Sequence, residues 1–142
     1  MRNPAVLYPM FALAAWTLLI LLLIPVARAR SARRREIGID DFKYGESPAV
    51  PPAVSIPNRN YMNLLELPML FYVVCVVLYV TAGASTIAIA LAWAFVVLRI
   101  VHSLIHLTYN RVVHRLAAFA ASNAALVTLW VIAGLHLAAA AP

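Results

Sequence analysis

Four long apolar stretches, broken by shorter polar ones, set the pattern of this chain. They cover about residues 4–27, 59–81, 86–108 and 115–138. At 1.5 Å per residue each is long enough for a helix to cross a hydrocarbon core of about 30 Å. Only Arg2 precedes the first stretch, and a run of arginines follows it. A cleaved signal peptide has the reverse flanks and a shorter apolar core, so the first stretch reads as an uncleaved membrane helix. Residues 28–58 are polar and hold four of the five acidic residues, Glu36, Asp40, Asp41 and Glu46. Pro48, Pro51, Pro52 and Pro57 there oppose a continuous helix, which predicts a loop long enough to have a role of its own. The second span is expected to start after Pro57, with Asn58 as its N-cap, and to kink at Pro68 with freed backbone carbonyls. Thr81-Ala-Gly-Ala-Ser85 predicts a tight turn ending in an N-cap serine. The expected fold is an all-α integral membrane protein, one four-transmembrane-helix bundle over residues 1–142.

Composition excludes the soluble alternatives. Hydrophobic residues make up 65% of the 142 and charged residues 11%, against roughly 45–50% and 25% in soluble chains. So few charges cannot cover a water-exposed surface, which rules out a soluble enzyme, a disordered tail or a disulfide scaffold. The net charge of +6 is concentrated rather than spread over a polar face, so it does not point to nucleic acid. Arg28, Arg30, Arg33, Arg34, Arg35, Lys43 and Arg59 lie in or beside the first loop, and Arg111 and Arg115 beside the last connector. The positive-inside rule places both on the cytoplasmic side of an inner or plasma membrane, with both termini on the other side. Juxtamembrane arginines also meet anionic lipid. Cys75, the lone cysteine, lies among Val and Leu and reads as packing.

The polar residues inside the spans carry the chemistry. At about 100° per residue, Arg59, Asn63 and Glu66 share one wedge of the second span, and Arg99, His102 and His106 one wedge of the third. If the hairpin turns at Gly83, Glu66 lies level with Arg99, Asn63 with His102, and Arg59 with His106. The expectation is a polar cleft between these spans, open to the cytoplasm, with a Glu66–Arg99 ion pair at its floor roughly 10–12 Å below the boundary. Charged groups at that depth face protein or water. A structural network that locks the hairpin is the plainer alternative. His102 and His106 at i, i+4 suit zinc, but Arg59 and Arg99 repel a cation and no Glu follows His102, so no metal is expected. Fixed cations, one carboxylate and one amide suit a zwitterionic small molecule, and a cationic cleft favours a bound thiolate.

Asn58-Arg-Asn-Tyr-Met-Asn-Leu-Leu-Glu66 carries Arg-x-x-x-Asn-x-x-Glu at the start of a membrane helix. With four spans, a long first loop and a tight second turn, it resembles the MAPEG family, the membrane-associated proteins in eicosanoid and glutathione metabolism. The resemblance implies a homotrimer with clefts between subunits. Active members bind glutathione, activate its thiol with an arginine, and act on lipophilic electrophiles or hydroperoxides. By position it implies glutathione contacts from Arg59, Asn63 and Glu66, with His102 and His106 beside them, and catalytic candidates in Arg99, Arg111 and Arg115. The sequence departs from leukotriene-synthase-type members in having Leu67 after the motif Glu, and His102 and His106 where those members have tyrosines.

The leading expectation is a glutathione-dependent transferase or peroxidase, with glutathione as co-substrate, a lipophilic small molecule as second substrate and membrane lipid as surroundings. The alternative is a non-catalytic lipid- or partner-binding protein of the same family. A transporter typically shows internal repeats and discontinuous helices; no repeat is evident here, and Pro68 alone hints at a break.

Overall fold

Five α-helices form four membrane spans in a computed structural model of the protein, which describes residues 2–140. The single domain expected over 1–142 also takes in residues 1, 141 and 142, which lie outside the described residues. Helix α1 is Tyr8–Arg33, entered by a 3₁₀ turn at Pro4–Leu7; α2 is Pro52–Leu65; α3 is Pro68–Val80; α4 is Thr86–Leu107; α5 is Val112–Ala139. There is no strand among the described residues. Helices α2 and α3 follow one another as the broken second span, Pro52–Val80.

Two boundaries differ from the sequence expectation by six residues or more, and α5 starts three residues early, at Val112. Helix α1 runs on to Arg33 instead of ending near residue 27. Its inward stripe continues through Ile24, half-buried Arg28 and Ser31, so helical packing outlasts the apolar stretch. It stops where Arg35 takes a left-handed φ of 58°, with Glu36 N–H bonded to Ser31 O at 3.0 Å and Arg35 N–H to Ala32 O at 3.0 Å. That pair of bonds caps the last carbonyls in a Schellman turn. The second span starts at Pro52, seven residues before the expected Arg59. Proline is disruptive inside a helix but suits its first position, where no N–H is needed. Val54 and Ser55 N–H bond back to Pro51 O at 2.9 and 3.2 Å to open the helix.

Residues 34–51 fold back over the end of α1. Asp41 accepts from Gly38 N–H at 2.8 Å and from the Ser47 hydroxyl at 2.9 Å. These two donors hold its carboxyl below the usual carboxylate range. Glu46 accepts from Asn58 Nδ2 at 3.0 Å and lies 4.0 Å from the Arg28 guanidinium, which stacks over Phe42 at 4.3 Å. The loop is thereby tied to both α1 and α2.

The most extensive helix contacts are α4 with α5 and α1 with α2; α3 packs against α5 and the first 3₁₀ turn. A shared core joins Leu13 and Ile20 of α1, Phe71 and Val74 of α3, and Phe95 and Leu129 from α4 and α5. Phe71 and Phe95 stack with centroids 4.5 Å apart. Only 22–39% of each span's apolar window is buried inside the chain. The remaining apolar surface fits a bilayer or neighbouring protein, not water. This is a four-helix membrane bundle.

At the hairpin tip, Ser85 caps α4 by accepting from Ala88 N–H at 3.2 Å. Ala82 carries the left-handed φ of 58°, and Gly83 N–H bonds to Leu78 O at 2.9 Å. Gly83 is there for space. A Cβ on it would stand 2.5 Å from His136 Cδ2. His136 in turn donates from Nε2 to Thr81 O at 3.0 Å, holding the end of α5 to the turn.

Candidate functional site

The two polar stripes lie on helices that meet at one end of the bundle. Asn60 Nδ2 donates to Ser103 Oγ at 2.6 Å, and Arg99 Nη2 donates to the backbone carbonyl of Asn63. Together with the Phe71–Phe95 stack, these pairs sit within three residues of the register that a tip at Gly83 sets. Arg59, Asn63 and Glu66 come from α2 and the break after it, His102 and His106 from α4, and Arg115 from the first turns of α5. All six line a cleft of about 510 Å³. That volume is in the range of small-molecule sites.

The two stripes are unequally buried. Arg59 and Glu66 are exposed on the open wall and Asn63 is half-buried. His102 and His106 are 5% and 4% exposed. Arg99 is fully buried and stands behind the cleft wall rather than on it. The expected Glu66–Arg99 ion pair is not formed. Among the described residues, ion pairs within 4.0 Å are Arg28–Glu46 and Arg34–Glu36. The break at Pro68 explains the difference. Proline brings no N–H and clashes with the turn before it, and Glu66 leaves the helical path with ψ at −92°. The Asn63 carbonyl then has no helical donor four residues on, and the Arg99 guanidinium takes that place. Arg99 Nε and Nη1 make no other hydrogen bond; its guanidinium lies 5.5 Å from the Phe119 ring centroid.

His102 is held more tightly. Its Nδ1 lies 3.0 Å from Arg115 O. A carbonyl only accepts, so Nδ1 carries the proton. His102 Nε2 and His106 Nδ1 are both buried without a partner. Buried polar nitrogens of this kind are normally satisfied, so these two are exceptions in the wall behind the cleft. Arg115 donates from Nη1 to Asn110 Oδ1 at 2.8 Å, which positions its guanidinium at the rim. Asn63 turns its amide back to Arg59 O at 2.9 Å. Past His102 and Arg115 the cleft adjoins a notch of about 220 Å³ walled by Val112, Leu116 and Phe119.

Arg111 caps the start of α5, is exposed, and is not part of the cleft wall. Of the three arginines considered for chemistry, the fold brings Arg115 alone to the cleft. The sequence reading overlooked the buried polar node beneath it. Ser103 Oγ accepts from both Asn60 Nδ2 and Trp16 Nε1, the latter at 3.0 Å, tying α1, α2 and α4 together. The Gly83 register already puts Asn60 and Ser103 at one depth, which was the available signal. His114 and His136, outside the cleft wall, contact Tyr109 and Thr81.

The sequence model of the MAPEG family matches residues 6–135, nearly the whole chain. The chain belongs to the MAPEG family. MAPEG proteins include glutathione transferases and peroxidases as well as non-catalytic members. No curated protein and no solved structure matches the chain. The MAPEG assignment agrees with the all-helical membrane bundle and leaves the particular activity to the chemistry of the cleft.

Proposed function

We propose that this MAPEG protein is a membrane-embedded glutathione-dependent transferase or peroxidase acting on lipophilic electrophiles or hydroperoxides. The observation that carries this reading is the donor set of the cleft. Arg59 and Arg115 bring two guanidinium groups and Glu66 a carboxylate that forms no ion pair among the described residues, beside the rings of His102 and His106. Guanidinium groups take the carboxylates of the tripeptide in bidentate fashion, and Glu66 takes its ammonium. Two positive groups without a matching pair of carboxylates favour the thiolate over the thiol.

Arg115 stands nearest to that role, because it lies between the polar cleft and the apolar notch of Leu116 and Phe119. In a transferase step the bound thiol gives its proton to solvent water in the open cleft, sulfur bonds to the electrophilic carbon, and the leaving group departs with the electron pair of the bond it breaks. The apolar notch would hold the electrophile, drawn from the bilayer. Arg99 serves this reading from behind the wall by holding the Asn63 carbonyl, and so sets the direction in which Asn63 and Glu66 face. The open α2 wall suits closure by a neighbouring chain, consistent with a homotrimer. The arginine-rich loop supports a cytoplasmic side for the cleft, with both termini opposite.

Glutathione at millimolar concentration should raise the melting temperature of the detergent-purified protein by mass action. A chlorodinitrobenzene-type electrophile should then be conjugated. Arg59→Ala and Glu66→Gln should each abolish the thermal shift. No shift with glutathione overturns the reading. A shift without turnover across electrophiles and hydroperoxides favours the non-catalytic lipid- or partner-binding alternative.

A further inference from the structure

The place where α1 leaves the bilayer carries two adjoining cavities that the cleft does not use. One, of about 440 Å³, is lined by Val26, Ala29, Arg30, Arg33 and Arg34. The other, of about 330 Å³, lies under the folded-back loop, with Ala29, Ala32, Ile37, Ile39 and Phe42 in its wall. Ala29 belongs to both, so a cationic cavity and an apolar one share an edge. Their chemistry differs sharply. The first presents three guanidinium groups, of which only Arg34 has an acidic neighbour, Glu36 at 3.9 Å. The second has almost no polar lining besides Arg28, whose guanidinium is already engaged with Phe42 and Glu46.

Depth selects the ligand. The apolar stretch of α1 ends at Ala27, after about 24 residues or roughly 36 Å, slightly more than a hydrocarbon core of about 30 Å. Arg30 to Arg34 therefore stand roughly 4–10 Å beyond its end, at the level of lipid phosphates. Val26 below them is 55% exposed, and Ile39, on the loop folded back beside Ala29 and Ala32, is 94% exposed. Exposed apolar side chains adjoining a guanidinium cluster suit an amphiphile rather than a free anion.

From this we infer that the collar formed by the end of α1 and the first loop binds one anionic phospholipid. Its phosphate lies over Arg30, Arg33 and Arg34, and its glycerol and first acyl carbons lie against Ala29, Ile37 and Phe42. The loop then has a function of its own, as one wall of a lipid site separate from the cleft.

The test is native mass spectrometry of the purified full chain after exchange with equimolar phosphatidylglycerol and phosphatidylcholine. One phosphatidylglycerol should stay bound per chain, at least tenfold in preference to phosphatidylcholine. Each juxtamembrane arginine contributes roughly fivefold near an anionic surface. The triple variant Arg30→Gln, Arg33→Gln, Arg34→Gln should therefore lose the preference, and Arg33→Gln alone should reduce it by a few fold. Phe42→Ser should weaken retention of both lipids. Equal retention of the two lipids by the unaltered protein overturns the proposal, as does unchanged preference in the folded triple or single variant. Displacement of the lipid by millimolar inorganic phosphate also overturns it, because the collar would then be reading a bare anion.

Discussion

Replacing Gly83 by alanine probes how the hairpin turn and the end of α5 hold one another. The new Cβ would lie 2.5 Å from His136 Cδ2, 2.9 Å from Cγ and 3.0 Å from Nε2, so the imidazole must move. Moving it breaks the 3.0 Å bond from Nε2 to Thr81 O, a carbonyl at the end of α3. Loss of a neutral hydrogen bond costs about 1 kcal/mol. Overpacking at a fixed contact costs a further 1–3 kcal/mol, roughly, toward the low end here because a side chain and not backbone gives way. Gly83→Ala should thus destabilise by about 2–3 kcal/mol. His136→Ala loses the bond alone and should cost about 1 kcal/mol. With His136 already removed the clash is gone, and Gly83→Ala should become nearly neutral. Thermal denaturation in a fixed detergent reads all four corners of the cycle, at about 3 °C per kcal/mol for a chain of this size. The prediction is a strong coupling between the two sites, the double variant costing about 2–3 kcal/mol less than the sum of the single ones. Additive effects, with Gly83→Ala costing as much without the histidine as with it, would refute the account. The cleft lies at the other end of the spans, so ligand binding should be unaffected in every variant that folds.

Ser103→Ala leaves the buried Asn60 amide and the Trp16 indole N–H without their shared acceptor. It should destabilise by about 2–4 kcal/mol, read as a fall in melting temperature together with a change in tryptophan emission. Arg115→Ala should abolish turnover and weaken the glutathione-induced thermal shift, whereas Arg111→Ala, outside the cleft wall, should leave both within about twofold. The Asp41 carboxyl is held below its ordinary range by Gly38 N–H and then by the Ser47 hydroxyl, so the ionised form is favoured in the folded loop. Its contribution is present above an unfolded pKa of about 3.9 and is lost as pH falls through the lower folded value. The hydrogen-exchange protection of residues 38–47, relative to the intrinsic rate at each pH, should accordingly fall below about pH 4. Asp41→Asn should remove that acid dependence, and a retained dependence would assign it to another group.

The bundle was legible because membrane spans are written locally. Apolar length, an absence of charge and the arginines beside the first stretch follow from what a bilayer requires, whatever the neighbours do. The turn at Thr81–Ser85 was equally local, since an N-cap serine acts on its own helix. Helical spacing also showed that Arg59, Asn63 and Glu66 share a face, as do Arg99, His102 and His106, and the turn put the two stripes at one depth. Spacing does not say how far each stripe is covered. Arg99 is fully buried and Glu66 exposed because α4 is packed against α5 along its length while the second span is broken at Pro68. The same break frees the Asn63 carbonyl that Arg99 takes in preference to Glu66.

Residues 28–58 show the other limit. Prolines announce disruption within a helix, yet Pro52 opens α2, and α1 continues to Arg33 because Ile24, Arg28 and Ser31 keep one side against the bundle and the loop. What the chain determined by itself was which segments enter the membrane, where they turn, and which polar side chains travel together. Tertiary structure decided which of those side chains reach a common cleft, which stand behind its wall, and which hydrogen bonds they make. Those choices depend on partners tens of residues away, and a helix's own periodicity carries no information about them.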